Sequence, residues 1–133
     1  MKFSEITQTK WQEWKPYMDT CLLPLTGLTG GEQPWEVTRT LEELRDVMDR
    51  IEIPYKGRIV TYPTVQYQLE GQAFEAFVNQ LCANMISAGF AHVVLVTGNA
   101  LIREMNFEQA DLLIGPEDEP RISEMIQTMW EQK

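Results

Sequence analysis

Apolar residues fall along this chain in two alternating rhythms. From Pro34 to Ile51, Val37, Leu41, Leu44, Met48 and Ile51 are spaced by threes and fours, while Glu42, Glu43, Arg45, Asp46 and Asp49 lie largely off that stripe. This is the period of one buried helical face. Phe74, Phe77, Val78, Leu81, Cys82 and Met85 repeat it over 72–88, with Gly89 placed to end the helix. Ile122, Met125, Ile126 and Met129 predict a last helix, with Asp118 or Glu119 as its cap and Pro120 in its first turn. A shorter first helix follows from Thr7, Trp11, Trp14 and Met18; Ser4 is expected to cap it and Pro16 to end it near Lys15.

Between these helices lie short apolar runs. The clearest is Ala91 with Val93 to Val96, β-branched almost throughout and closed by Thr97, Gly98 and Asn99. It reads as a buried parallel strand running into a turn. Thr20–Leu25 is a second run, with Pro24 expected among its last residues because proline donates no ladder hydrogen bond. Arg58–Tyr62, ended by Pro63, and Ala110–Ile114, ended by Gly115 and Pro116, complete the set. Asn99 is placed to cap a short helix over 100–105, 26–33 is a glycine-rich loop, and 64–71 is a connection of no defined shape. Helices alternating with apolar strands predict a single α/β domain over 1–133: three layers, a four-stranded parallel sheet in the order 2-1-3-4, and helices on both faces.

Composition narrows the function classes. With 20 acidic against 11 basic residues, the net charge of -9 repels phosphate backbones and argues against nucleic acid. No apolar run is long enough to span a bilayer, and Met1–Glu5 has no signal-like core, so a cytoplasmic protein without membrane insertion is expected. Cys21 and Cys82 lie far apart in apolar surroundings and read as reduced core thiols. No dinucleotide or phosphate-loop glycine pattern occurs, and one histidine offers no ligand-spaced partner. The expectation is therefore no cofactor, no metal and no catalytic set, with His92 in a structural role at the start of its strand.

In open parallel sheets ligands collect beyond the carboxyl ends of the strands. The residues there are Thr26, Tyr62, Thr64, Thr97, Gly98 and Asn99. Thr97 and Asn99 offer hydroxyl and amide groups, Gly98 allows close approach to the backbone, and Tyr62 could wall a pocket. The same residue types also serve strand-to-helix turns and caps. If they hold a ligand, replacing Asn99 by Leu should abolish a ligand-induced thermal shift and leave the fold intact. Two function classes stand: an accessory protein docking a partner through its acidic surface and Trp11, Trp14, Trp35 and Trp130, or a small-ligand or nucleotide domain using those strand ends. Oligomeric state is not constrained.

Lys15–Leu25 and Tyr55–Pro63 together resemble the YpiF-like family, short uncharacterised proteins of Bacillus-type bacteria. The matching positions are Tyr17, Asp19, Thr20, Pro24, Lys56, Gly57, Arg58 and Pro63, with His92 and Thr97 a similar pair. The chain departs from that pattern at Pro16 and in the loop after Leu25. The resemblance implies no catalytic residues; it implies a supporting role in assembly or expression of the menaquinol–cytochrome c reductase. Asp19 and Arg58, both at strand starts, are expected to form an ion pair.

Overall fold

Two apolar runs form the middle of the sheet because both of their faces can be buried. In the computed structural model, which describes residues 1–69 and 71–132, the strands are β1 (Thr20–Leu28), β2 (Ile59–Thr61), β3 (Val65–Tyr67), β4 (His92–Val96) and β5 (Leu112–Ile114). The helices are α1 (Gln8–Trp14), α2 (Pro34–Glu52), α3 (Gln72–Ser87), α4 (Ala100–Arg103) and α5 (Ile122–Glu131). All strand pairings are parallel, in the order β2-β1-β4-β5, and β3 pairs with the far end of β1.

The expected four strands in the order 2-1-3-4 are thus corrected to five. The added strand, β3, lies in the stretch the hydrophobic pattern left as a connection. Val65, Gln66 and Tyr67 alternate over only three residues, too few for a period to register. Counting β3 renumbers the two strands that follow it.

Alternation sorts the buried side chains into two layers. Cys21, Leu23, Leu25, Val93 and Leu95 face Phe74, Val78, Cys82 and Ile102, with Trp11 and Trp14 packed alongside. Leu22, Val94 and Val96 face Leu44, Val47, Met48, Ile51, Ile122 and Ile126. Helices α1, α3 and α4 therefore cover one face and α2 and α5 the other, as a parallel sheet requires.

Pro24 lies inside β1, three residues further from its end than expected, because β1 continues to Leu28. Thr20 and Leu22 turn their backbone groups toward β2, donating to Arg58 and accepting from Tyr62, so alternation aims Pro24 the same way. On that side β2 stops opposite Leu22 and β3 begins opposite Leu25. The missing N–H falls at the break that Pro63 makes between them.

Several helix boundaries differ from the sequence reading. Thr7, not Ser4, caps α1, its Oγ1 accepting from Lys10 N at 3.2 Å. In α2 the buried stripe is Leu44, Val47, Met48 and Ile51, and Leu41 is on the rim at 37% exposure. Pro116–Arg121 forms a 3-10 turn before α5, so Asp118 caps that turn by accepting from Gly115 N at 3.0 Å rather than capping α5. Gly89 ends α3 as expected, at φ 122°.

Three of the four tryptophans are packed, in keeping with the core or cap role their helical positions favour over the alternative of a docking set; Trp35 alone is largely exposed, at 63%. Trp130 fastens α5 to the amino edge of the sheet. Its Nε1 donates to Thr20 Oγ1 at 2.8 Å, Arg58 Cζ sits 4.0 Å over its ring, and Tyr55 meets it edge-on at 5.0 Å. Trp130→Ala should therefore cost about 3 kcal/mol in urea unfolding, as for loss of a packed aromatic. Trp35→Ala should change stability by less than about 0.5 kcal/mol in the same assay.

Candidate functional site at the carboxyl edge of the sheet

The adjacency of β1 and β4 brings four of the six expected residues together around Gly27. Asn99 Oδ1 accepts from Leu101 N and Ile102 N, each at 3.0 Å, and so caps α4. Its Nδ2 donates to Gly27 O at 3.3 Å, and Gln68 Nε2 donates to the same carbonyl at 3.1 Å. Gly27 has φ 83°, and a Cβ there would sit 2.6 Å from Asn99 Nδ2, so glycine is required twice over. Thr97 is buried, its Oγ1 accepting from Asn99 N at 3.1 Å. Thr26, also buried, donates from Oγ1 to Gln66 Oε1 at 2.8 Å. Gly98 is exposed, with open space where a side chain would be.

Tyr62 and Thr64 lie apart from this group, next to the break between β2 and β3. Tyr62 turns toward Phe90, ring centroids 5.4 Å apart, and borders a hollow of about 140 Å³ with Phe3, Ile6, Trp11 and Val60. Burial raises its phenol above the ordinary value. Thr64 is half-buried in the turn.

Beside the locked polar group opens a hollow of about 580 Å³, lined by Thr29, Gln68, Leu69, Gly71, Leu101 and Met105. Its rim is apolar: Leu69 is 65% and Leu101 66% exposed, and Tyr67 nearby is 64% exposed. Sequence reasoning missed these residues. A signal existed for Leu101, since in the single turn of α4 only one of Leu101 and Ile102 can face inward, and Ile102 is fully buried.

The opposite edge holds a second cavity, of about 600 Å³, whose lining includes His92, Asp111, Arg121, Glu124, Thr128 and Met129. Asp111 Oδ2 accepts from Val93 N at 2.8 Å. His92 Nδ1 is buried without a hydrogen-bond partner and stands 3.8 Å from Asp111 Oδ1. Nearby, Arg58 forms the expected pair with Asp19, Nε to Oδ1 at 2.9 Å and Nη2 to Oδ2 at 3.1 Å. Burial alone would raise the Asp19 carboxyl, but the bonds from Arg58 and Thr20 and the Arg58 charge outweigh it and hold it below the usual range.

The remaining chemistry is muted. Burial pushes both thiols up, Cys82 to about 11 and Cys21 further, so both are protonated at neutral pH and neither is an activated nucleophile. Among the described residues, no group of three or more His, Cys, Asp or Glu side chains is placed to hold a metal ion. No described helix is long and apolar enough to cross a membrane.

Compared with known proteins, the chain matches no curated protein and no solved structure. The family profile described as protein of unknown function (DUF2487) matches residues 9–117.

Asn99 is therefore a structural cap as well as an edge residue, and Asn99→Leu should not leave the fold untouched. Asn99→Ala, which frees two helix N–H groups, should lower stability by about 1–2 kcal/mol in thermal or urea unfolding. Asp118 gives a pH signature. Burial would raise its carboxyl, but Gly115 N–H, Arg103 and Arg121 hold it below the ordinary range. A depressed folded pKa contributes stability above the unfolded value near about 4, and that contribution is lost as pH falls through the folded one. Asp118→Asn should accordingly destabilise the protein at pH 7 and much less at about pH 2–3, measured by urea unfolding at both.

Proposed function

The chain belongs to the DUF2487 family of proteins of unknown function, and on that premise we propose that it is a non-enzymatic binding module that docks a basic partner protein at the carboxyl edge of its sheet. The observation that carries this reading is the hollow rimmed by Leu69 and Leu101, two large apolar side chains about two-thirds exposed above a floor whose polar groups are already used. Monomeric proteins bury such clustered apolar surface unless something else covers it. Thr26, Thr97 and Asn99 spend their hydrogen bonds inside the protein, which favours a rigid support over a polar ligand cradle. In this reading those residues set the shape of the edge and Gly98 leaves it open, while Tyr62 and Thr64, which lie apart, take no part in docking.

The charge of the partner follows from that of the chain. A net charge of -9 favours encounter with a basic surface and opposes association of two copies. Glu32, whose carboxylate accepts from Thr29 N and Thr29 Oγ1 at 3.0 and 2.9 Å, sets negative charge beside the hollow. The resemblance to YpiF-like proteins adds the cytoplasm as the place of action and the assembly or expression of menaquinol–cytochrome c reductase as the process served.

The test compares baits. Burying one leucine is worth about 2 kcal/mol, so Leu101→Asp and Leu69→Asp should each reduce partner retention by tenfold or more. Both positions are exposed, so the melting temperature should stay within a few degrees of the parent. Proteins from native lysate retained equally by the parent and both variants would overturn the reading, as would turnover of a small substrate that these variants leave unchanged.

A further inference from the structure

Every parallel sheet has two edges, and here part of each is already engaged. On β5, Arg103 Nη1 donates to the Leu113 carbonyl at 3.1 Å. On β2, the Met1 amine donates to Ile59 O and Thr61 N donates to Met1 O, both at 2.8 Å, so Lys2 pairs with Thr61 as a short parallel neighbour. That edge thus already accepts one extended segment.

Its continuation along β3 is bare. Gln68 N donates to Leu28 O at 2.9 Å, and Leu28 stands opposite Tyr67 in the register. In a parallel ladder that geometry turns the N–H and C=O of Tyr67 itself away from β1. Neither group has a partner among the described residues. The flanking sequence Thr64–Leu69 contains no charged side chain, in a chain where 23% of residues are charged. Natural edges are usually blunted by charges or covered, because unpaired strand groups invite another strand. This stretch instead keeps Tyr67 and Leu69 about two-thirds exposed, next to the hollow.

We propose that the partner is recognised by strand addition at the free edge of β3: it contributes an extended segment whose backbone pairs with Tyr67, with apolar side chains alternating with lysine or arginine. The proposal rests on the docking reading above and names its mode. Backbone pairing supplies a generic grip, and the adjoining hollow takes an apolar side chain of the added strand, which gives selectivity. The acidic charge of the chain selects the basic residues and keeps a second copy from occupying the same edge.

The probe is a short synthetic peptide alternating valine and threonine between terminal lysines, with a twin N-methylated on alternate amides so that one backbone face can no longer donate. Binding to the full chain is followed by fluorescence titration, and amide hydrogen exchange is read at Tyr67. The parent peptide is expected to bind and slow exchange at Tyr67. The methylated twin should bind about tenfold more weakly, the effect of losing one or two interfacial hydrogen bonds. Tyr67→Pro should weaken the parent peptide to a similar degree. On the backbone it removes only the outward N–H and keeps the Gln68 to Leu28 bond. Tyr67→Ala, which loses the ring but keeps that N–H, should bind the peptide more tightly than Tyr67→Pro, and the melting temperature of each variant serves as the control for folding.

If the peptide binds, weakens with Leu101→Asp, but is indifferent to methylation and to Tyr67→Pro, strand addition is wrong and docking through the hollow stands. If no peptide of this kind protects Tyr67 while lysate partners still depend on Leu101, the outcome is the same. Self-association of the chain with Tyr67 protected, detected by sedimentation without peptide, would assign the edge to a second copy and overturn the heterologous partner.

Discussion

Burial of β1 and β4 on both faces is the constraint from which the remaining structure follows. A strand flanked by strands and covered by two helical layers can expose neither side chains nor backbone groups to water, so each must be apolar throughout and paired on both edges. Cys21, Leu22, Leu23, Leu25 and Val93 to Val96 meet the first requirement, all at 2% exposure or less. β2, β3 and β5 meet the second. Pro24 is the one residue in this centre that donates nothing, and the fold places it at the single gap between flanking strands.

The carboxyl edge is governed by the same accounting of backbone groups. Where β1 and β4 leave the core, their turns carry carbonyls and N–H groups that would otherwise be half-buried and unpaired. Gly27 O takes donors from Asn99 and Gln68, and the first N–H groups of α4 are taken by Asn99 Oδ1. Polar side chains at strand ends are thus spent on closing the fold. The cost of an unmade buried hydrogen bond, about 1–3 kcal/mol, exceeds the net gain of a typical bond in water-exposed recognition, so the internal use dominates.

Legibility in the sequence divides along physical lines. Long apolar periods were readable: the segments of β1, β4, α2, α3 and α5 coincide with their hydrophobic patterns, and Asn99 and Gly89 sit at the helix ends their chemistry suggested. β3 was not, because three residues carry no measurable period and its strand character comes from a neighbour 39 to 40 positions earlier in the chain. The inner stripe of α2 gains Val47 and loses Leu41 because only the second half of the helix, Leu44 to Ile51, is packed into the core. For the candidate site, the edge was legible from the general behaviour of parallel sheets. Its apolar rim was not, since Leu69 and Leu101 are marked by what they fail to contact. A one-dimensional pattern does not record that.

The two edges of the sheet end up with opposite physical character. At the amino edge, Asp19, Arg58, Thr20 and Trp130 form a continuous set of ion pair, hydrogen bond and cation–π contact, which holds α5 in place. Such partly buried charge pairs are strongly directional, so they favour one docked position of the helix over its neighbours. At the carboxyl edge, directional bonding is confined to the floor, and what faces outward is leucine, tyrosine and methionine. Apolar contact is indifferent to fine orientation, and acidic charge acts at a distance of about a Debye length, roughly 8 Å at physiological salt. In the proposed docking reading, a surface of that kind gathers a basic partner by charge and retains it by burial, while the bonded amino edge holds α5 on the sheet that presents it.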